Sequence, residues 1–169
     1  MTHLDLRSIR LRSGEELRDE QEVELQPLVL AGQRYIPVPE KTVAELVVTR
    51  ATTGTVFELR LRVRLHGPCY RCLEDAVLER ELALREYQAE SPGESDELTT
   101  PYVVQGKLEL SAWARDALVL ALPEKILCKP DCAGLCPVCG RNLNREPHEH
   151  EVDRSDPRWA ALGELRGKL

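Results

Sequence analysis

Hydrophobic and polar positions alternate most strictly between residues 56 and 87. Leu59, Leu61, Val63 and Leu65 are interleaved with Arg60, Arg62, Arg64 and His66, a period of two that predicts a strand with one face in a core. After Gly67-Pro68-Cys69-Tyr70-Arg71-Cys72 the alternation resumes, with Ala76, Leu78, Leu82 and Leu84 on one face and Glu79, Glu81 and Arg85 on the other. The two runs predict an antiparallel hairpin, 56–65 against 76–86, with cysteines at its tip. Setting Cys69 opposite Cys72 pairs Leu59 with Leu82, Val63 with Leu78, Arg60 with Glu81 and Arg62 with Glu79. Arg80 then opposes Leu61. A slip of one residue would turn every apolar side chain to the wrong face.

The remaining elements follow from weaker patterns. Residues 3–12 alternate in part (Leu4, Leu6, Ile9, Leu11) and predict a strand, whereas the acidic stretch 15–24 reads as a loop or a short solvated helix. Short strands are expected at 25–30 and 35–38 around a turn at Ala31-Gly32-Gln33, and Val- and Thr-rich strands at 43–49 and 55–65, broken at Gly54. Residues 88–101 read as a polar, acidic loop. A strand over 102–110 leads to a helix that Ser111 caps and Pro123 ends, with Trp113, Ala117 and Leu120 on one stripe. Asp156-Pro157 starts a C-terminal helix with Trp159, Leu162 and Leu165 on one side. The predicted class is α+β, an antiparallel sheet body with a central hairpin, one or two packed helices and a Cys-rich, zinc-binding C-terminal loop. Residues 1–145 form one domain including the Cys-rich loop 128–144. A polar linker (146–155) and the short helix (156–169) follow.

Composition narrows the chemistry. With 42% hydrophobic and 31% charged residues the chain reads as globular, not disordered. Aromatic residues supply only 4%, so Leu, Val and Ala must fill the core, and a base-stacking RNA platform is disfavoured. The net charge of −6 excludes phosphate binding by overall charge. The first sixteen residues contain no apolar run of a secretory signal. The longest strong apolar run, 117–122, falls far short of the roughly 20 residues that span a bilayer. The expected location is cytoplasmic, where six cysteines read as metal ligands or redox thiols.

Those cysteines are spaced C-x2-C at Cys69 and Cys72, then C-x3-C-x3-C-x2-C at Cys128, Cys132, Cys136 and Cys139. Cys136-Pro137-Val138-Cys139-Gly140 has the form of a zinc knuckle, in which two thiolates grip one ion and Gly permits the tight turn. Zinc takes four ligands, so the knuckle needs a second pair. A local site would use Cys128, Cys132, Cys136 and Cys139; the alternative joins Cys69 and Cys72 to a C-terminal pair. About one tightly bound Zn²⁺ per chain is expected, as a fold staple and not a catalyst, because a catalytic site would want an open position. His148 and His150 are possible substitutes, but His148-Glu149-His150-Glu151 reads as solvated linker. The triplet Cys132, Cys136, Cys139 also has radical-SAM spacing, in a chain too short for the barrel that chemistry requires.

Cys69-Tyr-Arg-Cys-Leu-Glu, a helix ending Leu120-Ala-Leu-Pro, the run from Leu127 to Asn144 and the closing Asp156-Pro-Arg-Trp-Ala-Ala-Leu162 together resemble the bacterial YceD-like family. The resemblance implies a large ribosomal RNA subunit accumulation protein, acting in 23S rRNA accumulation and large-subunit assembly. It implies no catalytic residues. The partners expected are pre-rRNA or a large-subunit ribosomal protein, with no membrane and no small-molecule substrate. Arg60, Arg62 and Arg64 repeat every two strand residues, about 6.6–6.8 Å, close to the spacing of successive phosphates, and Arg71 extends the row. Glu79 and Glu81 offer the competing reading, ordinary cross-strand ion pairs. The alternative function is a redox-responsive zinc protein whose thiols switch a partner-binding surface. An enzyme acting on rRNA ranks last, since no nucleophile or His–carboxylate constellation is visible.

Overall fold

The computed structural model describes residues 2–90 and 98–150. Along the chain run β1 (His3–Asp5), β2 (Glu16–Glu24), β3 (Leu28–Leu30), β4 (Gln33–Pro37), β5 (Lys41–Arg50), β6 (Gly54–Pro68), β7 (Asp75–Ala89), β8 (Val103–Val104), β9 (Lys107–Glu109) and α1 (Leu110–Leu120). The fold is α+β, mostly antiparallel sheet with one helix among the described residues. The chain divides into two compact units, Met1–Cys132 and Ala133–Leu169. All named elements lie in the first unit, and the division falls inside the Cys-rich loop. The expected C-terminal helix with Trp159, Leu162 and Leu165 lies outside the described residues, as do 91–97 of the expected acidic loop and 151–155 of the linker.

The body is a six-stranded sheet in the order β2-β5-β6-β4-β3, with β7 on the opposite edge of β6. A second, three-stranded sheet has the order β1-β9-β8. Strand β6 is the axis. It pairs with β7 along its whole length, and with β5 and β4 over successive stretches of its other edge. Leu59, Leu61, Val63 and Leu65 are buried while Arg60, Arg62 and Arg64 are exposed, as the alternation requires.

The register differs from expectation by two residues. Leu59 faces Leu84, Leu61 faces Leu82, Arg62 faces Glu81, Val63 faces Arg80 and Arg64 faces Glu79. The cause is the tip. Cys69 and Cys72 do not face each other; the tip holds residues 69–74, closed by Cys69 N donating to Glu74 O (2.6 Å) and Leu73 N donating to Cys69 O (3.0 Å). Leu73 adopts a positive φ of 62° to make that turn. A shift of two preserves every face and changes every partner.

Further expectations are corrected. Residues 16–24 form a strand, not a loop or helix, paired with β5 from Glu16↔Thr49 to Glu24↔Lys41. Its charges suit a sheet edge, where they discourage pairing with another chain. Ser111 does not cap α1, because Glu109 occupies the cap position and the Ser111 hydroxyl accepts from Thr2 N at 2.9 Å. The helix buries Leu110, Trp113, Ala114 and Leu118; Leu120, expected on that stripe, is 86% exposed. The expected strands at 3–12 and 102–110 shorten to β1 and to the β8–β9 hairpin, whose turn residues Gln105 and Gly106 both take positive φ.

Candidate metal centre

Four cysteines converge at the tip of the β6–β7 hairpin in the first unit. Tyr35 of β4 fixes the approach: it is 1% exposed, and its hydroxyl donates to Pro68 O at 2.9 Å, the carbonyl just before Cys69. Its ring lies over Gly67 so closely that an added Cβ would stand 2.4 Å from Tyr35 Cδ1. The chain returns to this tip after α1. Tyr70 N donates to Ile126 O (2.8 Å), Ile126 is buried, and the Arg71 guanidinium donates to Cys132 O (2.7 Å). Lys125 Nζ lies 4.9 Å from the centroid of the Tyr70 ring. These contacts bring the Sγ atoms of Cys69, Cys72, Cys128 and Cys132 within 4.8 Å of one another, with no disulfide between them.

The spacing fits a tetrahedral ion. Four sulfurs each about 2.3 Å from one zinc stand about 3.8 Å apart. Cys69 and Cys132 are 3.7 Å apart, and Cys72 and Cys128 are 3.5 Å apart. Burial opposes ionisation of Cys69, but the N–H groups of Cys72, Cys128 and Arg71 point at its sulfur and bring its pKa down to about 6. Desolvation and the neighbouring thiols of Cys72, Cys132 and Cys69 push Cys128 up to about 12. Burial likewise raises Cys72. Gathering four sulfurs without a cation is thus electrostatically opposed, and a dication relieves the opposition.

The second unit holds another group. Cys136-Pro137-Val138-Cys139-Gly140 forms a tight turn in which Gly140 N donates to Cys136 O and Cys136 N donates to Arg141 O, both at 2.8 Å. Gly140 has φ 72°, a conformation that disfavours other side chains. Leu135 and Asn142 bridge the two arms. The Asn142 side chain accepts from Asn144 N (2.9 Å), and Asn142 O accepts from Glu146 N (3.0 Å), which turns the chain back on itself. His148 arrives with Nε2 3.1 Å from Cys139 Sγ and Nδ1 2.7 Å from Glu146 O. A carbonyl can only accept, so Nδ1 carries the proton and Nε2 presents its lone pair. Hydrogen bonding from the Cys139 N–H lowers the Cys136 thiol to about 6, against the effect of burial. The Glu146 carbonyl and the Cys136 sulfur raise His148. The ligand atoms of Cys136, Cys139, His148 and His150 also lie within 4.8 Å of one another.

The six cysteines therefore separate into two groups. Cys128 and Cys132 join Cys69 and Cys72, not Cys136 and Cys139, so of the two arrangements the sequence left open the structure gathers the one that ties the hairpin tip to a C-terminal pair. His148 and His150, read as solvated linker, stand with the knuckle. The signal that marks them is a His-x-His pair a few residues beyond C-x2-C.

Of the arginine row, Arg62 contacts Glu81 and Arg64 contacts Glu79 at 3.4 Å. Arg60 lies opposite Glu45 and Ala83 and makes no ion pair among the described residues. Arg71 is engaged at the tip. Sequence reasoning also missed a cleft of about 690 Å³ over Val48 and Phe57, into which Arg10 and Arg12 open. Neither makes an ion pair among the described residues; Glu15, whose carboxylate accepts from Arg12 N at 2.8 Å, lines the same cleft.

A family model described as large ribosomal RNA subunit accumulation protein YceD matches residues 57–166, which contain the hairpin from Phe57 onward, α1 and both cysteine groups. An uncharacterised protein of Mycobacterium tuberculosis is 42% identical over 128 residues, covering 73% of this chain and 61% of its own length. An uncharacterised protein of Mycobacterium leprae is 36% identical over 157 residues, covering 81% of this chain and 70% of its own. The chain thus spans less than two thirds of the Mycobacterium tuberculosis protein. No solved structure matches it. No helix among the described residues is long and apolar enough to cross a membrane.

Proposed function

The chain belongs to the YceD family, and on that premise we propose that it is a non-enzymatic factor supporting 23S rRNA accumulation and large ribosomal subunit assembly in the cytoplasm. The observation that carries the reading is the family match, which spans the hairpin and both cysteine groups. Its partner is pre-rRNA or a large-subunit ribosomal protein. Cys69, Cys72, Cys128 and Cys132 hold Zn²⁺, and the ion supplies folding energy. Four thiolates leave no open position for substrate or water, which supports a staple and not a catalyst. The staple ties the hairpin tip to the segment after α1, so the surface around the tip is rigid when a partner meets it.

RNA contact falls to the exposed face of β6, where Arg60, Arg62 and Arg64 project. Glu79 and Glu81 already satisfy part of that row, so an RNA phosphate must compete with them. Crosslinking followed by sequencing of the bound RNA tests the reading. Large-subunit rRNA should be enriched, and a chain with Arg60→Glu, Arg62→Glu and Arg64→Glu should bind it more weakly and with a flatter salt dependence. If that triple variant binds as well as the wild type, the arginine face is not the contact. If neither large-subunit rRNA nor a ribosomal protein is captured, the assembly reading fails.

A further inference from the structure

We propose that the second unit carries its own Zn²⁺ site, formed by Cys136, Cys139, His148 and His150, so that the chain binds two zinc ions of different chemistry. Four ligand atoms of two types converge within 4.8 Å of one another, on a segment of fewer than twenty residues with little else to fold around. For a thiolate about 2.3 Å and an imidazole nitrogen about 2.0–2.1 Å from one zinc, a tetrahedron places sulfur and nitrogen about 3.6 Å apart. Cys139 Sγ and His148 Nε2, at 3.1 Å, need only a small separation to admit the ion.

The surroundings are those of a ligand set already oriented. The Glu146 carbonyl holds His148 Nδ1 at 2.7 Å, which fixes the ring and the tautomer with Nε2 toward the sulfurs, the outer-shell arrangement typical of zinc-bound histidine. The His150 ring stands edge-on to His148 with centroids 4.9 Å apart, so both imidazoles reach one point without stacking. The Gly140 turn presents both sulfurs of the knuckle on one side. Two sulfurs and two nitrogens in this geometry select zinc over magnesium or calcium, which prefer oxygen. Four protein ligands again leave no position for catalysis.

The two sites differ in charge and access. A dication with two thiolates and two neutral imidazoles is neutral, whereas one with four thiolates carries two negative charges. Cys139 and His150 are exposed, while Cys69, Cys72 and Cys132 are buried. The mixed site therefore exchanges its metal faster.

Elemental analysis of the full chain, purified from zinc-replete cells, tests the assignment. Wild type should hold two zinc ions per chain, and His148→Ala/His150→Ala should hold one. His148→Cys should return the count to two while adding a sulfur ligand, visible on cobalt substitution as stronger sulfur-to-metal charge transfer. Wild-type zinc should pass from the protein to a competing chelator in two phases, of which only the fast one disappears in the histidine variant. A wild-type count of one that survives the double histidine substitution overturns the proposal, as does a count of two that the substitution leaves unchanged. Cys128→Ser/Cys132→Ser separates the sites: it should abolish only the slow phase. A count of one lost on histidine substitution would keep this site and refute zinc at the hairpin tip.

Discussion

Replacing Gly67 by Ala probes the joint between the sheet and the hairpin tip. The new Cβ would meet Tyr35 Cδ1 at 2.4 Å, Tyr35 Cε1 at 2.8 Å and the Arg34 carbonyl oxygen at 2.8 Å. Carbon atoms in ordinary contact stand about 3.5–4.0 Å apart, so the ring must retreat by roughly an ångström. Tyr35 is buried and tethered by its hydroxyl to Pro68 O, so the retreat breaks that bond. Overpacking of this kind costs about 1–3 kcal/mol and the lost hydrogen bond about 0.5–1.5 kcal/mol, which together give about 1.5–4.5 kcal/mol. Urea unfolding at fixed zinc concentration reads the loss directly, as a lower midpoint with an unchanged slope. Tyr35→Phe alone should cost only the bond. Because Gly67→Ala already breaks it, the double variant should be less unstable than the sum by about 0.5–1.5 kcal/mol. A Gly67→Ala chain within about 0.5 kcal/mol of wild type, or strict additivity with Tyr35→Phe, would refute this account of how β4 positions Cys69.

Other outcomes follow from the same contacts. Leu61→Asp places an unpaired carboxylate in the core, where Leu61 is 5% exposed, and should leave the first unit unfolded by circular dichroism. Arg62→Ala should change unfolding stability by only about 0–1 kcal/mol, since its pair with Glu81 is exposed on both sides. Ile126→Ala should cost about 2–5 kcal/mol and speed zinc loss from the hairpin tip, measured with a chromogenic chelator. Cys139→Ser should raise amide hydrogen exchange within 133–150 and leave β6 and β7 protected as in wild type.

The parts legible in the sequence are those set by strict periodicity. The buried and exposed faces of β6 could be read because a period of two admits one assignment of faces. Its register could not, because it depends on how many residues the tip consumes. That number comes from the Glu74–Cys69 closure and the positive φ of Leu73, not from any alternation. Strand β2 was hidden because an edge strand needs few apolar residues: Val23 alone in it is fully buried, and its charges resemble those of a solvated loop. The cysteine pairs announced metal by spacing, but their partnership depends on where the chain returns after α1. His148 and His150 carried no periodicity at all. Their place depends on the turn built by Asn142 and Asn144, a local feature with meaning only beside the knuckle.

The ratio of large- to small-subunit rRNA in cells lacking this protein tests the central claim most directly, when complemented with wild type or with a Cys72→Ser/Cys128→Ser chain. The account predicts a reduced ratio without the protein, restored by wild type and not by the cysteine variant. An unchanged ratio in the deleted cells would contradict it.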